Sequence, residues 1–226
     1  MRIIFSLGID TILKHVILGD LLTEIVSDSN LMQIQVKVES RSTLMTLLQD
    51  AAIDFFVADI NDFKTVDVKE IKIEELCSAR GSIFVRPGHP LEHNSDISSS
   101  ELFQFPIITP SNVHETRWEL PKWNSIEQYN NERRQEVICP DINTLKQLAY
   151  ETDVVFATAD ATVKEDVDEG RLRRLDYRIS NGNDIRSFGL VTLKKNTLSI
   201  HSQKIAGLIK EKVRTNLSVD RLPKAG

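Results

Sequence analysis

The sequence predicts an α/β fold in two lobes, and three observations carry that expectation. Residues 2–59 alternate strand, helix, strand, helix, strand, the order that builds a parallel sheet with crossover helices. From residue 98 the alternation returns in looser form. No Gly/Ser-rich or Pro-rich linker separates the two stretches, so ordered strands rather than a tether join the lobes.

The first strand spans Arg2 to Leu7, and a turn at Gly8-Ile9-Asp10 leads into a helix from Thr11 to Ser27. Asp10 or Thr11 can cap that helix by accepting a bond from an orphaned backbone N–H. Its apolar residues, from Ile12 through Val26, spread around most of the circumference instead of forming one stripe. Such a helix is either deeply buried or faces the sheet on one side and a second subunit on the other. The second option makes Leu13, Ile17, Leu21 and Glu24 candidate dimer contacts, since a large exposed apolar area is otherwise a liability. A strand at Ile34–Val38, a Ser40-Arg41-Ser42 turn, a helix carrying Leu44, Leu47, Leu48 and Ala51, and the apolar run Ile53–Ala58 complete this stretch.

Ser82–Arg86 reads as a strand stopped by Pro87-Gly88-His89-Pro90. Ser98-Ser99-Ser100-Glu101 has capping-box spacing and opens a short helix, with the strand Phe105–Ile108 behind it. The polar segment 112–135 contains Trp118 and Trp123, read as lobe-two core or as an aromatic cleft wall. Val137–Cys139 is a strand, Asp141 starts a helix to Tyr150, Val154–Ala157 is a strand, and Thr162-Val163-Lys164-Glu165 is a second capping-box pattern. The strand Phe188–Leu193 and the helix Ile200–Val213 finish the chain.

Composition excludes several classes. Nine glycines and seven prolines in 226 residues fall well below the roughly 12% of average proteins, and 41% hydrophobic residues argue against disorder. No stretch approaches the roughly 18 apolar residues of a membrane span, and Asp10 comes too early for a secretory signal. Cys77 and Cys139 are the only cysteines, which leaves no disulfide framework and suits a reduced, cytoplasmic setting with buried, inert thiols. A net charge of −5 argues against this polypeptide gripping a phosphate backbone by itself. Basic clusters such as Arg171/Arg173/Arg174 read as solvated faces.

Two α/β lobes joined by ordered strands describe periplasmic-binding-protein-like modules, in which a ligand sits in the crevice at the carboxyl ends of the strands. Four short motifs narrow the comparison: Ile53-Asp54-Phe55-Phe56-Val57-Ala58, Arg86-Pro87-Gly88-His89-Pro90-Leu91, Leu102 through Pro106-Ile107-Ile108, and Asp168-Glu169-Gly170-Arg171-Leu172. In this order, over residues 2 to about 214, the chain resembles the effector-binding domain of LysR-type transcriptional regulators. The resemblance implies a type II two-lobed fold, each lobe a mixed or parallel sheet flanked by helices, with two crossover strands as hinge. Lobe I is expected at 1–80 plus 189–226 and lobe II at 81–188, with no DNA-binding domain in this chain. It also implies a homodimer or tetramer that reaches DNA through a helix-turn-helix segment, and a first helix packed against a partner's second lobe. The chain departs from the family pattern at Ala51, where a glycine is usual, and at Thr152 and Val154, which replace two glycines. Threonine and valine are poor hosts for positive φ, so that loop must run differently here.

Strand-to-helix turns supply the candidate effector contacts, because helix N-termini present free N–H groups. They are Gly8, Asp10 and Thr11 at the first turn, Ser40, Arg41 and Ser42 at the second, and Thr109, Ser111 and Thr158 after lobe-two strands. The resemblance places Arg41 where family members commonly carry a small hydroxyl that touches the effector. An arginine there can bind a carboxylate or phosphate bidentately, helped by the helix dipole. A solvated surface arginine is the alternative, and plain capping is the alternative for Asp10, Ser40 and Ser42. Asp10 would oppose an anion and could instead pair with Arg41. The sequence holds no G-x-S-x-G, H-E-x-x-H, Walker or G-x-G-x-x-G motif, and Pro90 keeps His89 and His93 from forming a helical metal pair. The reading is a non-catalytic sensor of a small metabolite, anionic where Arg41 takes part in binding, without cofactor or metal. Its rivals are a transporter's solute-binding protein and a small-molecule enzyme on the same fold.

Overall fold

The structure, a computed structural model, describes residues 3–27, 32–61, 63, 70–110, 135–177 and 185–217. Ser111, Trp118 and Trp123 lie outside the described residues. The chain divides into two compact units, one formed by residues 1–79 and 186–221, the other chiefly by residues 80–185.

In the first unit β1 (Ile3–Ile9) lies between β2 (Met32–Val38) and β3 (Phe55–Asp59), parallel to both. The later strand β9 (Ile185–Leu193) pairs antiparallel with β3, and β4 (Ile71–Val85) follows beyond it. Two helices return the parallel chain, α1 (Thr11–Ser27) and α2 (Arg41–Gln49). Every residue of β3 is buried: Phe56 and Ala58 join Leu44, Leu48 and Ile53 in one cluster, while Phe55 packs tilted against Phe5 with ring centroids 5.4 Å apart. A strand covered on both faces reads as a continuous apolar run, which is why Phe55-Phe56-Val57-Ala58 lacks alternation. Gly8 permits the α2 packing. A Cβ at Gly8 would stand 2.6 Å from Leu44 Cδ2 and 2.7 Å from Phe56 Cβ, so only glycine lets the helix settle on β1. Just past the C-cap of α2, Ala51 takes φ 55°, the left-handed position where the family pattern has glycine, and Ala52 N–H bonds Leu47 O.

Three of the four candidate dimer contacts on α1 are closed off within the chain itself. Leu13, Ile17 and Leu21 are completely buried by this chain, so they have no surface left for a partner. Glu24 is also engaged internally, 2.7 Å from Lys212 on the last helix, α6 (Ile200–Leu217). Asn216 Nδ2 donates to Val16 O and Asp20 Oδ2, fixing α6 antiparallel along α1. The all-round apolar character comes from two buried faces plus a rim of half-buried leucines, with Val26 alone highly exposed.

The second unit contains β4's carboxyl half, β5 (Ile107–Thr109), β6 (Glu136–Ile138) and β7 (Val155–Ala159), in the order β4-β7-β5-β6. β5 runs parallel to β6 and β7, β4 antiparallel to β7, and β8 (Arg173–Arg174) pairs with β4. Cross-strand pairs alternate between faces: Ile83, Val85, Val155 and Ala157 enter one cluster, Phe84 and Phe156 the other. The capping box at Ser98 and Glu101 forms as expected and starts α3 (Ser99–Leu102), and Asp141 caps α4 (Ile142–Glu151). The second predicted capping box does not form. Residues Asp160–Val163 make a 3-10 turn before α5 (Lys164–Asp168), and the Thr162 side chain caps nothing. Thr152 ends α4 with φ −136°, an extended conformation, so this loop dispenses with the positive φ that the family's glycines serve. Asp166 ties α4 to α5: Lys146 and Arg171 reach its carboxylate at 2.7 Å, and Tyr150 donates to it.

Candidate functional site

Because β1, β2 and β3 are parallel, their carboxyl ends share one edge of the first unit, and most of the candidate residues gather there. Ser40 caps α2, its Oγ accepting from Thr43 N–H at 3.3 Å. The same Oγ lies 3.0 Å from Ser42 Oγ and 2.9 Å from Thr43 Oγ1, so three exposed hydroxyls crown the helix N-terminus. The Arg41 guanidinium stands 5.7 Å over the Phe63 ring, a cation–π contact that orients it at the same edge. Thr11 opens α1, half-buried.

Asp10 is a lock, not a ligand contact. Its Oδ1 accepts from Leu13 N–H at 2.7 Å and its Oδ2 from Asp59 N–H at 2.9 Å, so both oxygens are spent on main chain and the alternative pairing with Arg41 does not arise. Burial pushes its pKa up to about 6, against the pull of those two hydrogen bonds. Gly8, two residues earlier in β1, faces the α2 core rather than the edge, which corrects its assignment as an effector contact.

Sequence reasoning missed the group that anchors this edge. Arg186 Nε donates to Asp59 Oδ2 at 2.6 Å, and Asp59 Oδ1 accepts from Asn61 N–H at 2.9 Å. Both side chains are buried, at 4% and 7% exposure, and burial raises the Asp59 pKa against the nearby Arg186 charge. No local pattern connects residues 127 positions apart, so nothing in the sequence could have paired them.

In the second unit Thr109 ends β5 and Thr158 lies in β7, both buried and both toward the carboxyl ends of parallel strands. Thr158 is paired in register with Ser82 of β4. The hydroxyls of Ser82, Thr158 and Thr162 are all buried and have no hydrogen-bond partner among the described residues. Buried hydroxyls normally find partners, which marks the cross-strand pair Ser82 and Thr158 as a polar spot in the second unit, with Thr162 a separate unpartnered hydroxyl. Sequence reasoning does not single out Ser82 and reads Thr162 only as a cap; for Ser82 and Thr158 the usable signal is a lone hydroxyl at the end of the apolar runs Ser82-Ile83-Phe84-Val85 and Val155-Phe156-Ala157-Thr158.

Other candidates are structural. His89 is buried, its Nδ1 accepts from Leu91 N–H at 3.1 Å, and its ring lies 4.5 Å from Phe105; burial lowers its pKa. Cys77 and Cys139 are half-buried rather than buried, and burial pushes the Cys77 thiol up to about 11. Among the described residues no cluster of three His, Cys, Asp or Glu side chains could hold a metal, and no helix is long and apolar enough to cross a membrane. What the two edges offer is hydrogen-bond donors and hydroxyls, the equipment for holding a polar small molecule.

Comparison with known proteins places this geometry. Residues 4–214 match the family model described as LysR substrate binding domain. The chain is 26% identical over 182 residues to the SDS degradation transcriptional activation protein of Pseudomonas sp. (strain ATCC 19151), covering 78% of this chain and 56% of that protein. This chain therefore spans little more than half of that relative's length. Among solved structures it is similar to a reduced form of OxyR from N. meningitidis, with TM-score 0.73 and 14% identity over 95% of this chain and 98% of that one. The regulatory domain of MetR, a LysR family regulator from N. meningitidis, gives TM-score 0.72 at 13% identity, covering 96% of each chain.

Proposed function

Since the chain belongs to the LysR substrate-binding-domain family, we propose that it is the non-catalytic, effector-sensing part of a cytoplasmic transcriptional regulator, and that its effector is a small molecule with an anionic group. The observation that carries the anionic preference is the α2 N-terminus, where Ser40, Ser42 and Thr43 hydroxyls surround a helix end and Arg41 stands beside them. Helix N-termini favour negative charge, and a guanidinium adds two parallel donors. Thr109 and Thr158 in the second unit belong to the same reading, with Ser82 and Thr162 added to them. Thr11 remains a contact in it as well.

The curated relative is named for transcriptional activation of SDS degradation. That relative is a transcriptional activation protein and MetR is a regulator, which favours this reading over a transporter's solute-binding protein or an enzyme. Contact with DNA then falls to a helix-turn-helix segment outside these residues, and the regulator acts as a homodimer or tetramer. An effector changes the regulator's state only through differential affinity for its conformations.

The test is calorimetric titration of the chain with a panel of organic acids and sulfate esters, followed by Arg41→Ala against the best binder. Loss of a charge-assisted hydrogen bond, worth roughly 1.5–3 kcal/mol, should weaken binding about 10-fold to 100-fold. If Arg41→Ala binds that compound as tightly as the parent, anion recognition at α2 is wrong.

A further inference from the structure

We propose that the first unit holds a second small-molecule site, for a phosphate- or sulfate-bearing metabolite, in the groove between α6 and the β4–β9 edge of its sheet. Strand direction separates this groove from the α2 site. β9 starts with Arg186 beside Asp59 at the carboxyl edge and runs antiparallel to β3, so Thr192 and Lys194 emerge at the opposite edge. There a cavity of about 480 Å³ opens, inside the roughly 300–1,000 Å³ of ligand pockets.

Its lining is unlike the rest of an acidic chain. Lys72, Lys194 and Lys210 bring three ammonium groups, and Glu74 brings the one carboxylate of the lining. Glu74 is spent on Lys210, with both oxygens 2.8 Å from Nζ. Lys72 and Lys194 form no ion pair among the described residues, so two positive charges face the groove uncompensated in a chain of net charge −5. The positive end of the 18-residue helix α6 adds to them, because Gln203 of its first turn lines the same wall. Buried Leu190, Leu193 and Ala206 supply an apolar floor for the body of a ligand.

The wall is also fixed in place. Lys194 N–H bonds Glu70 O at 2.9 Å and Asn196 N–H bonds Leu193 O at 3.2 Å, closing the turn that carries Lys194. Ser199 Oγ accepts from Ser202 N–H at 3.1 Å, and Gln203 Nε2 donates to Leu198 O at 2.9 Å. A site held by such bonds loses little freedom when it binds. The site does not depend on the effector reading, and the experiment separates the two.

The 226-residue chain is titrated calorimetrically with phenyl phosphate, with phenol as the neutral control. Both exposed lysines are reversed together in Lys72→Glu/Lys194→Glu, with a circular-dichroism melt to verify the fold, and Arg41→Ala is run alongside. The expected result is binding of phenyl phosphate but not phenol, weakened at least about tenfold by the double reversal and unchanged by Arg41→Ala. The proposal is overturned if the parent fails to bind phenyl phosphate, if phenol binds equally, or if the double reversal binds like the parent. Loss of binding in Arg41→Ala with retention in the lysine variant would also overturn it, by placing the anion at α2.

Discussion

Removing Asp59 should be among the costliest single changes available in the first unit. In Asp59→Ala the Arg186 guanidinium stays at 4% exposure with its charge uncompensated, and both the 2.6 Å bond from Arg186 Nε and the 2.9 Å bond from Asn61 N–H disappear. Breaking one partner of a buried ion pair typically costs about 3–5 kcal/mol, a large share of the roughly 5–15 kcal/mol that stabilises a folded domain. For a chain of this size that corresponds to a drop of roughly 6–20 °C in melting temperature. Removing both charges should cost less than removing one, because the penalty comes from the orphaned ion and not from the lost attraction. Asp59→Leu/Arg186→Met is therefore expected to recover most of the loss. Urea melts of parent, single and double variants, compared as a thermodynamic cycle, measure this directly. An Asp59→Ala cost below about 1 kcal/mol, or a double variant less stable than the single, would refute the argument that Asp59 compensates a buried Arg186 charge.

Three further outcomes follow from other parts of the structure. Asp10 carries a folded pKa of about 6 against an ordinary value of 3.8, so the folded state binds more protons across that window and stability should fall as pH rises from about 4 to about 6, by up to about 3 kcal/mol; Asp10→Asn should flatten that slope in melts taken across the same range. Gly8→Ala should destabilise by about 1–3 kcal/mol, because its methyl collides with Leu44 and the rigid Cβ of Phe56; a neutral result in thermal melts would show that α2 does not sit on β1 as described. Ala51→Gly should stabilise by up to about 1 kcal/mol, since it relieves a left-handed alanine at φ 55° at some entropic cost to the unfolded chain, and a shift of the urea midpoint at constant slope reads it out.

What the sequence determined by itself is local. Short apolar runs marked the strands, and caps such as Asp10, Ser98 with Glu101, and Asp141 announced helix starts, because these signals lie within one or two turns of the residues they organise. The ordered motifs also carried the family, whose model spans residues 4–214. Tertiary structure alone decided which apolar residues of α1 face inward, since nine apolar positions spread around a helix look alike until the sheet and α6 cover two of its faces. It alone set Ser82 opposite Thr158 and Arg186 beside Asp59, because strand register and long-range pairing depend on which elements become neighbours in space. Thr162 shows the same limit from the other side: its capping-box pattern is present, yet the chain folds a 3-10 turn there and leaves the hydroxyl buried and without a cap bond.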